Sequence, residues 1–157
     1  MLIFFKGTQI VHSYGVLDRT FDDFLHQRSD SLIVTAAGNN GENGVSTVAS
    51  PSIAKNTLVV GASQSSGSDI YGNMLGHQYL SYFSAKGPTV DGRMGIDVVA
   101  PGSYILSAAA NPNTVGECDD SEGARYDQGT SMAVPGKMLV HFDTLVCNLL
   151  KDTFYYF

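Results

Sequence analysis

The sequence predicts an α/β domain in which a parallel sheet is flanked by helices. A β-rich run at Gln9–Ser13, a helical pattern that begins near Thr20 and a buried apolar run at Leu32–Ala36 follow one another along the chain. Strand, helix and strand within roughly thirty residues form a βαβ unit, which requires parallel strands joined by a right-handed crossover. Further short apolar runs that end at glycine or proline are predicted to extend the same sheet.

The helix of this unit is predicted from its start signal and its spacing. Thr20 is followed three residues later by Asp23, close to the capping-box pattern that satisfies N–H groups at a helix start. The positions that follow at helical spacing are Phe21, Phe24, Leu25 and Arg28.

Three more runs are predicted as strands: Thr57–Val60, a weaker one at Gln78–Phe83, and Asp97–Ala100. Two loops, residues 38–52 and 110–128, are long and rich in small or polar residues. Loops of that length in compact domains often carry function. No repeat or linker divides the chain, so residues 1–157 are predicted to form one domain or part of one.

Composition and charge exclude several classes of partner. The net charge of −6 and the pI near 4.9 argue against nucleic acid and acidic membrane surfaces, because both select for basic patches. No stretch approaches the roughly 20 apolar residues that span a bilayer, and Met1–Phe5 is too short for a signal peptide. The sequence therefore predicts no membrane span and carries no readable localisation signal. Cys118 and Cys147 are interpreted as free thiols or one incidental bridge.

The most specific stretch is Gly129-Thr130-Ser131-Met132-Ala133-Val134-Pro135. Glycine before serine allows a sharp turn that presents the hydroxyl at a helix start, where N–H groups favour developing negative charge. Most serines in such positions are helix caps or turn residues. At every fixed position, however, the stretch resembles the nucleophile motif of subtilisin-like serine proteases (subtilases), Gly-Thr-Ser-Met-Ala-x-Pro. The resemblance makes Ser131 the candidate nucleophile and implies a subtilisin-like sheet.

Ala36-Ala37-Gly38-Asn39 resembles the segment in which subtilases carry the oxyanion-hole asparagine. The resemblance implies that Asn39 donates its amide to the oxyanion of the tetrahedral intermediate. In this family the loss of one such donor lowers kcat by about 10²–10³. On the residues alone, Asn39 is a turn residue that tolerates left-handed geometry, since another turn signal follows it.

The same resemblance implies a substrate cleft. Ser13-Tyr14-Gly15 is similar to the strand-end Ser-x-Gly of subtilases, where a peptide substrate pairs with exposed backbone. Ala37 and Gly38 complete this predicted cleft, which lies where open parallel sheets bind ligands, at the carboxyl ends of strands. The expected partner is a peptide or protein substrate. Further segments match family blocks in the right order: Ala54–Asn56, Val59–Ala62, Phe83–Pro88 and Asp97–Gly102.

The resemblance extends over about residues 9–135 and leaves two family motifs without a match. The catalytic Asp of an Asp-Ser/Thr-Gly turn and the His of a His-Gly-Thr-His helix are both absent from the sequence. None of the four histidines has Gly-Thr beside it, and each is interpreted as a surface or packing residue: His12, His26, His77 and His141. Because the triad acts as a unit, the loss of the His alone lowers kcat about 10⁶-fold in this family. We therefore expect this chain, as a partial catalytic domain, to be inactive by itself.

Residues 136–157 diverge from the family and are predicted to form a helix and an apolar tail. Calcium sites are common in subtilases, but the acidic loop Cys118–Glu122 lacks a recognisable ligand spacing. We therefore expect no cofactor and assign no residue to calcium.

Two functions remain open on the sequence. The first is a serine endopeptidase, in which Ser131 forms an acyl-enzyme and a His and Asp outside this sequence activate it. The second is a truncated subtilase or pseudoprotease without catalysis, which at most binds peptides or a partner chain. An unrelated α/β small-molecule-binding domain is disfavoured, because the sequence contains no glycine-rich phosphate loop.

Overall fold

A computed structural model describes residues 2–5, 12–65, 75–108 and 124–135. Its elements in chain order are β1 (Leu2–Phe5), α1 (Val16–Gln27), β2 (Leu32–Ala36), a 3-10 turn (Gly41–Asn43), β3 (Leu58–Ser63), β4 (Val98–Pro101), β5 (Ile105–Ala108) and β6 (Ala124–Asp127). Residues 130–135 are helical.

Strands β1 to β4 form one parallel sheet in the order in which they occur along the chain. The register places Val34 beside Leu58 and Val60 beside Val98. Helix α1 connects β1 to its neighbour β2, which is the βαβ arrangement that the sequence predicts. The predicted fold class, an α/β parallel sheet with flanking helices, is confirmed.

The central strands are buried on both faces, as parallel sheets require. On one face, side chains of β2 and β3 pack against residues of the helix at 130–135. That cluster consists of Val34, Ala36, Val60, Ala62, Phe83, Ala100, Ala133 and Val134. On the other face lies a smaller cluster, Ala37, Val48, Ile53, Val59 and Ala85. The first cluster anchors the segment that follows Ser131 directly to the sheet.

Two predicted strands differ from the structure. The structure has a strand at Leu2–Phe5 that the sequence analysis did not predict. Of the predicted strand Gln9–Ser13, His12 and Ser13 are not in a strand, and residues 9–11 lie outside the described residues. Gln78–Phe83 is not a strand, because only Leu80 forms an isolated antiparallel bridge, to Ser63. The strands predicted at Leu32–Ala36, Thr57–Val60 and Asp97–Ala100 correspond to β2, β3 and β4.

Helix α1 begins four residues before the predicted start. Gly15 is its N-cap, and the Gly15 N–H donates to Asp18 Oδ2 at 2.9 Å. Thr20 lies inside the helix, where its hydroxyl donates to the Val16 carbonyl at 2.9 Å. The acid in the capping position is therefore Asp18 and not Asp23.

A two-stranded antiparallel ribbon of β5 and β6 was not predicted. It pairs Ile105 with Asp127 and Leu106 with Tyr126, so it places the end of the predicted loop 110–128 in a strand. The acidic loop Cys118–Glu122, Cys147, His141 and the tail 136–157 lie outside the described residues. Among the described residues, no helix is long and apolar enough to cross a membrane.

Candidate active site

The position of Asn39 is set by the end of strand β2. The Ala37 N–H continues the ladder by donating to the Val60 carbonyl at 2.9 Å. Gly38 then adopts a φ of +112°, a conformation that strains any residue with a Cβ, and its carbonyl accepts the Ala85 N–H at 2.9 Å. The chain turns out of the sheet here, and the Asn39 side chain is exposed at the carboxyl end of the strand.

Asn39 and Thr130 are joined although they are 91 residues apart in the sequence. Asn39 Oδ1 accepts both the Thr130 N–H and the Thr130 hydroxyl, each at 2.9 Å. The Thr130 hydroxyl in turn accepts the Gly38 N–H at 3.2 Å. Because a backbone N–H can only donate, the oxygen of the Asn39 amide must face Thr130, and its NH₂ group points elsewhere.

The turn before Ser131 is held by a close approach of two glycines. The Gly129 N–H donates to the Gly102 carbonyl at 2.8 Å, and the Gly102 N–H donates to the Ser63 carbonyl at 2.9 Å. A Cβ on Gly102 would lie 2.7 Å from the Gly129 carbonyl oxygen and 2.8 Å from the Ala62 Cβ. The end of β4 therefore fixes the Gly129 backbone, and the first core cluster fixes the helical turn that follows.

Two N–H donors beside this turn have no acceptor among the described residues. The Thr130 N–H bonds to Asn39 and the Met132 N–H to the Gly129 carbonyl at 3.1 Å, whereas the Ser131 N–H bonds to neither. The Asn39 amide nitrogen likewise donates to no described residue. Unpaired N–H groups at the first turn of a helix favour negative charge.

The predicted substrate segment Ser13–Gly15 is held by two acids of helix α1. Asp18 Oδ2 accepts the Gly15 N–H at 2.9 Å and the Ser50 hydroxyl at 2.7 Å. One helical turn later, Asp22 Oδ2 accepts the Tyr14 hydroxyl at 2.8 Å. Both acids are buried, and they are the buried residues of α1.

Asp22 also joins the segment to the loop before β3. Its Oδ1 accepts the backbone N–H groups of Lys55 and Asn56, each at 2.8 Å. The Lys55 ammonium lies 5.3 Å from the centre of the Tyr14 ring, a cation–π contact. The hydrogen bond to Asp22, with smaller effects of burial and of the neighbouring carboxylates, raises the pKa of Tyr14 to about 12.

The structure thus brings some predicted site residues together and leaves others apart. Gly38 and Asn39 contact Thr130, the residue before Ser131. No hydrogen bond joins Ser13–Gly15 to Asn39 or Ser131 among the described residues. Ser131 is half-buried, and Ser13 and Tyr14 are exposed.

The structure describes three of the four histidines. His12 is half-buried and its Nδ1 lies 3.2 Å from the Val48 carbonyl oxygen. His26 and His77 are exposed. Among the described residues no group of three or more His, Cys, Asp or Glu is placed to hold a metal ion.

Three residues that contribute to this geometry were missed by the sequence analysis. Thr130 is a fixed letter of the nucleophile motif, so a signal was present, but its bond to Asn39 depends on the fold. Asp18 and Asp22 lie four residues apart on one helix, a spacing that places both on one face. Acids are rarely buried without a partner, and their partners lie on other segments.

Comparison with known proteins shows to which family the chain belongs. The model of the subtilase family, peptidase family S8, matches residues 8–136, which is most of the chain. The chain belongs to the subtilase family of serine peptidases.

Three individual relatives are consistent with this family assignment. The chain is 36% identical to pyrolysin of Pyrococcus furiosus over 129 residues, covering 72% of this chain and 9% of pyrolysin. It is 32% identical to the serine protease AprX of Bacillus subtilis over 111 residues, covering 66% of this chain and 23% of AprX. The serine protease/ABC transporter B family protein tagD of Dictyostelium discoideum is 27% identical over 214 residues, covering 91% of this chain and 12% of tagD. The chain thus spans less than a quarter of the length of these curated relatives.

Solved structures share the fold. The prenylagaramide maturation protease PagA superimposes with a TM-score of 0.55 at 22% identity, over 85% of this chain and 39% of PagA. Fervidolysin of Fervidobacterium pennivorans, a keratinolytic enzyme related to subtilisin, gives a TM-score of 0.51 at 25% identity, over 78% of this chain and 17% of fervidolysin.

Proposed function

We propose that this chain supplies the nucleophile and the oxyanion hole of a serine endopeptidase. The observation that carries the proposal is the double hydrogen bond from Thr130 to Asn39 Oδ1. Because the Asn39 oxygen faces Thr130, the residue before Ser131, its NH₂ group is left to donate, and this supports a role as a donor to the oxyanion that forms from the scissile carbonyl.

In the proposed reaction Ser131 Oγ attacks the scissile carbonyl and its proton passes to a general base. The carbonyl oxygen becomes negatively charged and accepts hydrogen bonds from the Asn39 NH₂ and the Ser131 N–H, the two donors that have no described acceptor. Collapse of the intermediate expels the amine, which takes up the proton and leaves an acyl group on Ser131. Water then releases the acid and regenerates the serine.

The general base and its supporting acid are proposed to come from a His and an Asp outside these 157 residues. The sequence contains no Asp-Ser/Thr-Gly turn and no His-Gly-Thr-His motif. His12 is not assigned this role, because its ring nitrogen Nδ1 lies 3.2 Å from the Val48 carbonyl oxygen and no Gly-Thr stands beside it in the sequence. The 157 residues alone are therefore expected to hydrolyse peptides at a rate close to background.

Peptide hydrolysis by the complete gene product and by the 157 residues alone tests this proposal. We expect the complete gene product to hydrolyse casein and its Ser131→Ala variant to be slower by about 10⁶, the magnitude for loss of a triad member in this family. The 157 residues should release no product that depends on Ser131. Sustained casein hydrolysis that survives Ser131→Ala would contradict the nucleophile assignment.

A second candidate function rests on the same missing motifs. If the gene product contains neither the Asp turn nor the His helix, the chain is a non-catalytic subtilase that binds peptides along Ser13–Gly15 and Ala37–Gly38. The two functions are separated by the assay above: hydrolysis that Ser131→Ala abolishes excludes the second, and peptide binding without hydrolysis excludes the first.

A further inference from the structure

We propose that Asp22 is a positioning residue for substrate binding: it holds Tyr14, and with it the Ser13–Gly15 backbone, in the conformation that pairs with an extended peptide. This inference rests on the proposed function, because it assumes that Ser13–Gly15 lines the substrate cleft.

The Asp22 carboxylate is shared among three residues of two other segments. Its Oδ2 accepts the Tyr14 hydroxyl at 2.8 Å, and its Oδ1 accepts the Lys55 and Asn56 N–H groups at 2.8 Å each. The Lys55 N–H also lies 3.0 Å from Oδ2. The Asn56 side-chain amide also donates to the Asp22 carbonyl at 3.3 Å. One residue of α1 therefore connects the candidate cleft segment to the loop before β3.

The Ser13–Gly15 segment is not held by apolar packing alone. Ser13 is exposed and Tyr14 retains 41% of its exposure, so neither belongs to either core cluster. The described anchors of residues 12–15 are polar: His12 to the Val48 carbonyl, Tyr14 to Asp22, and Gly15 to Asp18. The loss of one of these contacts frees the backbone that the peptide must meet.

The charge of the Asp22 carboxylate is met by hydrogen-bond donors. Asp22 is 9% exposed and forms no ion pair among the described residues. The Lys55 ammonium contacts the Tyr14 ring and forms no ion pair with this carboxylate. A buried carboxylate without a cation depends on its N–H and O–H donors, so the Tyr14 hydroxyl is held in place by the need to satisfy Asp22.

The two buried acids of α1 have separate roles. Asp18 caps the helix at Gly15 and fixes Ser50, and these contacts concern the start of α1. Of these two acids, it is Asp22 that accepts a hydrogen bond from a side chain of the Ser13–Gly15 segment, the Tyr14 hydroxyl. Substitutions at Asp22 and at Tyr14 should therefore weaken peptide binding in the same way. A substitution at the neighbouring exposed acid, Asp23, should not.

The test measures peptide binding in the complete gene product carrying Ser131→Ala, so that no hydrolysis occurs. The probe is a fluorescein-labelled Ala-Ala-Ala-Phe-Ala-Ala peptide, read by fluorescence anisotropy. We expect Tyr14→Phe and Asp22→Asn each to raise the Kd about 3- to 10-fold, in line with the loss of one hydrogen bond to a charged group. The same peptide with N-methylated backbone amides, which cannot pair with a strand edge, should bind weakly and equally to all variants.

Asp23→Asn is the matched control, because Asp23 is one residue further along the same helix and is exposed. Its one ion pair among the described residues is with the exposed Arg19, at 3.5 Å. Asp23→Asn makes the same change of charge and should leave the Kd unchanged. In ¹³C-tyrosine NMR spectra, the resonance lost in Tyr14→Phe identifies Tyr14. Asp22→Asn should return the pKa of that phenol from about 12 towards its ordinary value of about 10.

The inference is overturned if Asp22→Asn lowers the Tyr14 pKa while the Kd stays unchanged, or if Asp23→Asn weakens binding equally. It is also overturned if the parent protein does not bind the peptide. The proposed function would fail in a different way, through hydrolysis by the unsubstituted protein that does not depend on Ser131. Neither the binding nor the NMR measurement depends on that result.

Discussion

Thr130 donates two hydrogen bonds to a single atom, the Asn39 side-chain oxygen, each at 2.9 Å. Its hydroxyl also accepts the Gly38 N–H at 3.2 Å, so one buried threonine connects both ends of the Gly38-Asn39 turn to the start of the helix at 130–135. The residue before the candidate nucleophile thereby determines which way the candidate oxyanion donor faces.

The first prediction concerns Thr130→Val, which keeps the shape of the side chain and removes the hydroxyl. The Gly38 N–H loses its acceptor and Asn39 keeps one bond instead of two. We expect the free energy of unfolding to fall by about 1–2 kcal/mol and kcat of the complete gene product for a peptide substrate to fall about 10-fold. Thr130→Ser retains the hydroxyl and should keep most of the stability and most of the kcat. Equal losses of stability and kcat in the two variants would show that the hydroxyl is irrelevant.

Asn39→Asp removes the donor group of the Asn39 side chain and keeps its acceptor. The carboxylate still accepts both bonds from Thr130, so the fold should be retained, but it has no N–H to donate to an oxyanion. We expect kcat to fall by about 10²–10³, the magnitude found in this family, with a KM within about 3-fold of the parent value. Steady-state kinetics with a chromogenic peptide measures both, and an unchanged kcat would remove Asn39 from the oxyanion hole.

Gly102→Ala tests the close approach behind the nucleophile turn. The added methyl group would lie 2.7 Å from the Gly129 carbonyl oxygen and 3.2 Å from the Ala133 Cβ, so the turn or the strand must shift. We expect a loss of about 1–3 kcal/mol in the free energy of unfolding, measured by urea denaturation. Gly15→Ala is the control, because its Cβ would meet Asp18 Oδ2 at an ordinary 3.6 Å and should change stability by less than about 0.5 kcal/mol.

The fourth prediction is a dependence of stability on high pH. The hydrogen bond to Asp22 raises the pKa of Tyr14 to about 12 in the folded protein, compared with about 10 when unfolded. Folding therefore favours the neutral phenol, and this contribution is complete below the unfolded pKa and is lost as the pH rises towards the folded one. The difference in the free energy of unfolding between the parent and Tyr14→Phe should shrink between about pH 10 and pH 12 in urea titrations. A difference that does not change with pH would contradict the bond.

The sequence analysis located the segments of the candidate site because each is contiguous in the chain. Ser131 and Asn39 each belong to a short motif whose chemistry is local, and the βαβ pattern indicated that strand ends would gather at one edge. What the sequence did not reveal was the contact between those motifs, because Thr130 and Asn39 are 91 residues apart.

Helix α1 shows why the rest could not be predicted. Helical spacing placed Phe21, Phe24, Leu25 and Arg28 on one face of the helix, yet its buried residues are Asp18 and Asp22. An acid is stable inside a protein only when donors meet it, and here those donors come from Tyr14, Ser50 and the N–H groups of Lys55 and Asn56. Hydrophobic periodicity reports on one helix or strand at a time. It therefore could not predict a polar contact that joins three segments of the chain.

The β5–β6 ribbon was missed for a related reason. Its strands have four residues each and are separated by a long segment that the analysis interpreted as a loop. Strands as short as these carry too few positions for alternation to be recognised.

The central claim, that Ser131 is a catalytic nucleophile, is tested most directly by covalent labelling. The complete gene product would be treated with a biotinylated fluorophosphonate, which reacts with activated serines, and the modified peptide would be identified by mass spectrometry. The account predicts a single label on Ser131, abolished by Ser131→Ala and absent from the isolated 157 residues. A label on another serine, or no label on a gene product that hydrolyses peptides, would contradict it.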